Sequence, residues 1–319
     1  MRALRSPFLA PLVLALAAVA VYALADSNFV LRVASLVFIF GLAAIGLNIL
    51  VGDAGQVSLG HAGFLGIGAY AVAVLPPQTG LHPLLAGIVG VGVAGVLALA
   101  VGRPVLRLKG HALAVATLGL GILIFMALTN EAWLTGGPDG MRVERLTLFG
   151  ERIRGATNWY VITAVALVIG ALIAASLKAS PTGRALRALH DSEIAALTAG
   201  VDVARYKTIA FVISAVYAAS AGVLLALFEG FVTPDVAGFL TSIELVTMVV
   251  LGGMGSIVGA VVGAAIITAL PQVLTVFQEY EHMMLGLVMM AAMIGLRRGI
   301  VPSLLLLLTL PGRRGRDKR

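Results

Sequence analysis

NILVGDAGQVSLGHAGFLGIGAY, residues 48–70, is the stretch on which the fold turns. It joins two apolar runs with almost no loop between them. It also carries Asn48, Asp53, Gln56, Ser58 and His61, with two glycines three apart, Gly52 and Gly55. A second stretch, VVLGGMGSIVGAVVGA at 249–264, repeats the device with Gly252 and Gly255. Short hydrophobic segments interrupted by glycine in both halves of a chain mark helices that break inside a membrane, around a translocation pathway. Unwound backbone at that depth is tolerated only where protein or a water-filled cavity satisfies it. A charge at the centre of a bilayer costs about 2.5–3.5 kcal/mol on insertion scales, so polar side chains there must face a cavity or a partner. Asn48, Gln56, Ser58, His61, Gly252 and Gly255 are therefore the candidate pathway residues. Two plainer roles stay open: Asp53 and Gln56 as caps of a helix end at the cytoplasmic interface, and His61 as a helix-start residue with no part in transport.

Working outward, the composition demands a bilayer. Of 319 residues 60% are hydrophobic and 12% charged, against about 25% charged in soluble domains. The apolar runs approach the roughly 20 helical residues that cross a membrane. Spans are predicted near 8–25, 33–51, 61–76, 84–102, 111–130, 159–177, 208–228, 240–252, 256–275 and 283–296. Positive charge collects at Arg2/Arg5, at Arg103/Arg107/Lys109, in the 178–207 loop and in the Arg-rich tail. The positive-inside bias puts all four groups in the cytoplasm, and ten alternating spans allow it. The loops 26–32, 77–83, 131–158, 229–239 and 276–282 then lie outside. The longest, 131–158, holds four arginines against four acids and a turn-rich Gly136-Gly137-Pro138-Asp139-Gly140. The expectation is an all-α polytopic membrane protein of about ten transmembrane helices with Gly-broken segments, both termini cytoplasmic, forming one transmembrane domain over 1–319. Arg2, Arg5, the first apolar run and Ala23-Leu24-Ala25 also imitate a signal peptide; the length of the run and the spans after it favour a retained helix.

Other classes fall away on chemistry. The net charge of +7 suggests nucleic acid, but seven of the 22 basic residues lie in 297–319 and the others fit membrane orientation and anionic lipid. Without cysteine there are no disulfides, thiolate metal sites or thiol nucleophiles. Five histidines, no HExxH and no Ser/His/Asp spacing leave no catalytic residues, and no metal or cofactor is expected. A P-loop needs Gly-Lys before Ser or Thr, and the chain has no Gly-Lys pair. Energy for transport must come from a partner or an ion gradient. Glu229 should end its helix at the outer interface. Glu244, near the start of a span, reads either as an ion relay or as a carboxylate reaching water. Gly259 and Gly263 have the small-xxx-small spacing of close helix packing.

One polar island remains: SPTGRALRALHDSEIAALTAGVDVARYKT, 180–208. Ser180 is a helix cap and Pro181 suits a first helical position. Asp191 or Ser192 can cap a second short helix, and Gly200 can end it in the left-handed conformation. Leu186, Leu189, Ile194 and Leu197 are expected on one face, with Arg184 and Arg187 on another. Such a pair can lie in lipid headgroups, but Asp191, Glu193 and Asp202 oppose that. A mixed-charge helix with a small apolar ridge suits a protein groove.

This island resembles the cytoplasmic coupling loop of the branched-chain amino acid ABC permeases of the LivM type. The likeness extends to LNILVGDAGQVSLGHAGFLGIGAYAVAVL, to TGGPDG at 135–140 and to VLGGMGSIVGAVVGA, in the family's order. It implies an ATP-driven importer: a periplasmic substrate-binding protein, two permease subunits including a LivH-like partner, and two ATPase subunits. By that likeness Arg184, Arg187, Asp191, Glu193 and Gly200 belong to coupling helices seated on the ATPase, and Asn48, Gln56, Ser58 and His61 lie near the pathway. Helix N-termini at the glycine breaks would meet the substrate carboxylate. The competing readings are an ion-coupled secondary transporter using Glu244 or His61, a sugar permease of the same kind, and a membrane scaffold that transports nothing.

Overall fold

A helix that is apolar all round can be covered only by lipid or by other helices, and this chain uses both. In the computed structural model, residues 9–108, 110–148, 151–153, 155–273, 286, 290, 299–301 and 303 are described. The elements are α1 (Leu9–Leu24), α2 (Asn28–Asn48), α3 (His61–Thr79), α4 (Pro83–Val105), α5 (His111–Asn130), a short α6 (Ala132–Thr135), α7 (Ala156–Ala179), α8 (Pro181–Asp191), α9 (Glu193–Thr198), α10 (Val203–Glu229), α11 (Phe239–Gly252) and α12 (Ile257–Val273). Five are long and apolar enough to cross a membrane: α2 with the turn that extends it, α4, α5, α7 and α10. The helices α1, α11 and α12 are apolar but shorter. The helices match the first nine predicted spans within a few residues, except that α2 and α10 each start five residues earlier. The span at 283–296 (Gly286 and Met290 apart), Arg2, Arg5, Lys109, the loop 276–282 and the tail beyond 303 lie outside the described residues.

Local chemistry sets the boundaries. Ser27 caps α2 through Val30 N–H, and His82 caps α4 through Leu84 N–H, with Pro83 at the first position. Asp202 caps α10 through Arg205 N–H, and left-handed Gly230 ends it after Glu229. Two-residue strands knit the loops at one end: β1 (Met141–Arg142) pairs antiparallel with β4 (Phe231–Val232), and β2 (Thr147–Leu148) with β3 (Glu151–Arg152). At the same end Arg32 pairs with Glu229 at 2.8 Å, and His82 Nε2 bonds Thr147 O at 2.9 Å. The loops 24–28, 79–83, 130–156 and 229–239 therefore share one end of the bundle. The α8–α9 pair lies at the other.

The core is built on α2, α3 and α10. Helix α10 packs along α3, α2 and α4, while α2 is also flanked by α12 and α7. Helices α4 and α5 leave most of their apolar surface outside, where only lipid or a partner can cover it.

One expectation is corrected here. Leu186 and Leu189 are 1% and 2% exposed, but Ile194 and Leu197 are 75% and 57% exposed. The reason is local: Ser192, between α8 and α9, is fully extended (φ −164°, ψ 117°), so it resets the helical phase. The ridge of α8 faces the bundle and that of α9 faces away.

Candidate functional site

The first break starts where α2 widens into a π-helical turn, Ile49–Asp53. Such turns need an extra residue in the ladder and recur at functional sites. The chain then unwinds until α3 begins at His61. Gln56 N–H returns to Leu50 O at 3.0 Å and its side-chain amide donates to Ala54 O at 3.0 Å. Hydroxyls from three other helices add further bonds. Leu59 N–H donates to Thr117 Oγ1 of α5, and Ala62 N–H donates to Ser242 Oγ of α11, both at 3.1 Å. His61 is a buried cross-brace, with Nδ1 2.8 Å from Ser58 Oγ and Nε2 2.5 Å from Ser214 Oγ of α10. A neutral imidazole suits that pair, one nitrogen donating and the other accepting. Phe64 and Phe211 meet the ring edge-on. At this helix N-terminus, one of those expected to meet a substrate carboxylate, Ala62 N–H is held by Ser242.

The second break separates α11 from α12. Gly253 (φ +121°) and Gly255 (φ +77°) hold conformations that side chains oppose. Asn48 spans the gap between breaks with both ends of its amide: Oδ1 accepts from Gly255 N–H and Nδ2 donates to Ser256 O, each at 2.8 Å. A Cβ on Gly52 would sit 2.3 Å from Gly255 N, so the two breaks touch backbone to backbone. Segments some 200 residues apart thus make one structure. Asn48→Ala is expected to remove both hydrogen bonds between the breaks, whose partners Gly255 and Ser256 are not buried, at about 0.5–1.5 kcal/mol each, and to lower the thermal unfolding midpoint in detergent. An unchanged midpoint would mean that something else holds the breaks together.

The surface helix pair is tied into this junction. Lys178, next to last in α7, sets its ammonium 3.0 Å from Asp53 Oδ1 of the first break and donates to Gly255 O of the second. Both side chains of the ion pair are largely buried. Asp53 Oδ2 is buried with no hydrogen-bond partner among the described residues. Asp53 is thus an ion-pair partner of α7, not a helix cap, and α3 starts on Gly60 without a side-chain cap. Two residues on, Ser180 caps α8 through Gly183 N–H, and Leu186 and Leu189 anchor it. His190 lies against the first break, since a Cβ on Gly55 would stand 3.1 Å from its Nδ1.

The charged residues of the loop divide into two groups. Arg187 donates to Lys178 O at 3.1 Å and Arg184 to Ala179 O at 3.3 Å, so both guanidinium groups cover the carbonyl end of α7. Glu193 pairs with Lys207 of α10, a fully buried lysine. Asp191 and Gly200 stay exposed, and Gly200 (φ +80°) follows the end of α9 as its spacing predicts. The outermost apolar groups are Ile194 and Leu197.

Asn48, Gln56, Ser58 and His61 are all buried in protein. The structure brings Asn48 to Gly255 and Ser58 to His61; among the described residues Gln56 bonds its own turn. Sequence reading missed Lys178 and Lys207, because both look like ordinary loop charges at a span boundary. Beside the first break, Leu59, Phe125, Phe239, Thr241 and Ser242 help line an apolar groove of about 510 Å³ between α5 and α11. Glu244 is half-buried on α11.

Comparison with known proteins adds to this geometry. Residues 29–293 match the family described as branched-chain amino acid transport system / permease component. The chain is 35% identical over 299 residues to the high-affinity branched-chain amino acid transport system permease protein LivM of Salmonella typhimurium, covering 85% of this chain and 69% of that one. The LivM protein of Escherichia coli is 34% identical over 298 residues, with the same coverage. The LivH permease protein of Escherichia coli is 30% identical over 257 residues, 72% of this chain and 79% of the relative. No solved structure matches the chain.

Proposed function

The chain belongs to the branched-chain amino acid transport system permease family, and on that premise we propose that it is one of two permease subunits of an ATP-binding-cassette importer. Its partner is a second permease of the LivH type. A periplasmic binding protein delivers the amino acid, and separate ATPase subunits grip α8–α9 from the cytoplasm. The chain is one transmembrane domain of about ten spans with both termini inside. It carries no P-loop ATPase site of its own, since it lacks the Gly-Lys that such a loop needs.

The observation that carries the proposal is the wiring at the foot of α7. ATP binding draws the two motor subunits together and displaces α8. Lys178 and His190 connect α8 and its root to both broken segments, so a rigid shift of the pair reaches the ends of α2 and α11 and the start of α12 together. Packed junctions respond by switching between discrete arrangements. Moving such an equilibrium from 1:99 to 99:1 takes about 5.5 kcal/mol of differential binding, which nucleotide-driven motor closure would supply. The unpartnered Asp53 Oδ2 suits a carboxylate that gains a second donor in the other arrangement. The substrate is a zwitterion with an apolar side chain, and the apolar groove beside Leu59 is where such a side chain would run once the junction opens.

Purification of the assembled complex tests the reading. The permease should bring down an ATPase, and reconstituted uptake should stop without ATP. Ile194→Asp puts a charge on the outermost apolar group of α9; it is expected to weaken ATPase capture by about 30-fold, as losing an interface hot spot of roughly 2 kcal/mol does, with thermal stability unchanged. Accumulation of amino acid by this chain alone on a proton or sodium gradient would overturn the proposal.

A further inference from the structure

A groove of about 1110 Å³ opens at the α8–α9 end of the bundle, between the end of α4, helix α9 and the start of α10. Arg103 and Arg107 come from α4 and the turn after it, and Arg205 from α10. All three are exposed, and none of their guanidinium groups has a hydrogen-bond or ion-pair partner among the described residues. The two carboxylates in the wall are already engaged: Glu193 with Lys207, and Asp202 Oδ1 with Arg205 N–H. Asp202 keeps its charge, so Arg103, Arg107, Arg205 and Lys207 against Glu193 and Asp202 leave the cleft with a net charge of +2.

Apart from Thr208, the rest of the wall is apolar. Leu99, Leu106, Leu197 and Ile209 line it. From Leu99, Val96 and Val89 continue the same helix face along α4 at steps of three and seven residues, each well exposed. Basic groups over an apolar track that runs along a membrane-spanning helix match one chemistry: a phosphate-bearing headgroup with its acyl chain attached. A free phosphate would use the arginines and leave the leucines wet.

We propose that this groove is a binding site for an anionic phospholipid of the leaflet on the α8–α9 side, its phosphate held by Arg103, Arg107 and Arg205 and an acyl chain laid along Leu99 and Val96. The site requires that the chain sit in a membrane and is independent of whether it transports anything. Basic pockets between helices on the cytoplasmic side hold anionic headgroups elsewhere; here the pocket is composed by α4 and the root of α10.

Native mass spectrometry of the intact complex in mild detergent, titrated with phosphatidylglycerol, phosphatidylcholine or inorganic phosphate, tests it. The wild-type chain should retain one phosphatidylglycerol where phosphatidylcholine washes off. The triple variant R103Q/R107Q/R205Q should weaken retention by about a hundredfold, on the usual contribution of a basic residue to anionic lipid binding. Should the triple variant fail to insert, the single variant Arg205→Gln should lose about fivefold on the same scale, with Arg142→Gln at the opposite end as the unchanged control. Equal retention of both lipids, retention unaffected by the Arg205 change, or displacement of phosphatidylglycerol by millimolar inorganic phosphate would each overturn the proposal, the last by showing a site for the free anion.

Discussion

Lys178→Ala is expected to abolish ATP-coupled uptake while the complex still assembles and hydrolyses ATP. The lysine is the one side chain among the described residues that joins α7 to both breaks, through Asp53 and Gly255. Removing one member of a buried ion pair costs about 3–5 kcal/mol, because the other charge is left uncompensated. Here Asp53 would lose its one direct ion-pair partner among the described residues, Arg187 and His190 acting on it only from farther off, and its second oxygen has no hydrogen-bond partner there to begin with. The unfolding midpoint should therefore fall as well, and that alone could reduce uptake. The double variant D53N/K178M separates the two effects, since removing both charges together is often neutral for stability. The expected result is a recovered midpoint with uptake still absent, because stability returns but the link does not. Uptake that recovers with the midpoint would reduce the pair to a structural tie.

Gly263→Val should leave almost no folded protein in the membrane. A Cβ at Gly263 would lie 1.8 Å from Met248 O, and one at Gly252 would lie 1.8 Å from Gly259 O. Helices α11 and α12 thus cross with backbone against backbone, the close approach that small residues permit in lipid. Overpacking usually costs about 1–3 kcal/mol when side chains can yield; a carbonyl in a helix cannot, so valine here exceeds that range. Gly119→Ala is the contrasting case. Nothing lies within 4 Å of its missing Cβ, and alanine should be neutral or should stabilise α5 by up to about 1 kcal/mol through helix propensity. Membrane yield and thermal unfolding in detergent read both. A normal yield for the valine variant would mean that the crossing of α11 and α12 is looser than the structure has it.

The contrast between those glycines shows what sequence could and could not reveal. Spacing alone marks Gly259 and Gly263 as packing residues, and glycine pairs three apart mark both breaks, because each signal is local in the chain. Some helix boundaries are equally legible, since Ser180 sits where a cap is needed; the caps Ser27 and Asp202 went unread, and the spans they start were placed five residues late. What sequence did not show is the meeting of the breaks. Asn48 and Gly255 are 207 residues apart, and nothing near either one names its partner. The two lysines failed for another reason. Positive charge at a span end is the commonest orientation signal, so Lys178 and Lys207 carried no sign of burial. On the surface helices the helical period misled, because one extended residue, Ser192, turned the ridge of α9 away from that of α8.

The central claim is that α8–α9 faces the cytoplasm and is covered there by a motor subunit. Because the chain has no cysteine, Ile194→Cys gives a single label site on the outermost apolar residue of α9. Membrane-impermeant maleimide should modify it in inside-out vesicles stripped of the ATPase, spare it when the ATPase is restored, and never reach it in intact spheroplasts. Modification from the outside of spheroplasts, or labelling that the ATPase does not reduce, would contradict the claim.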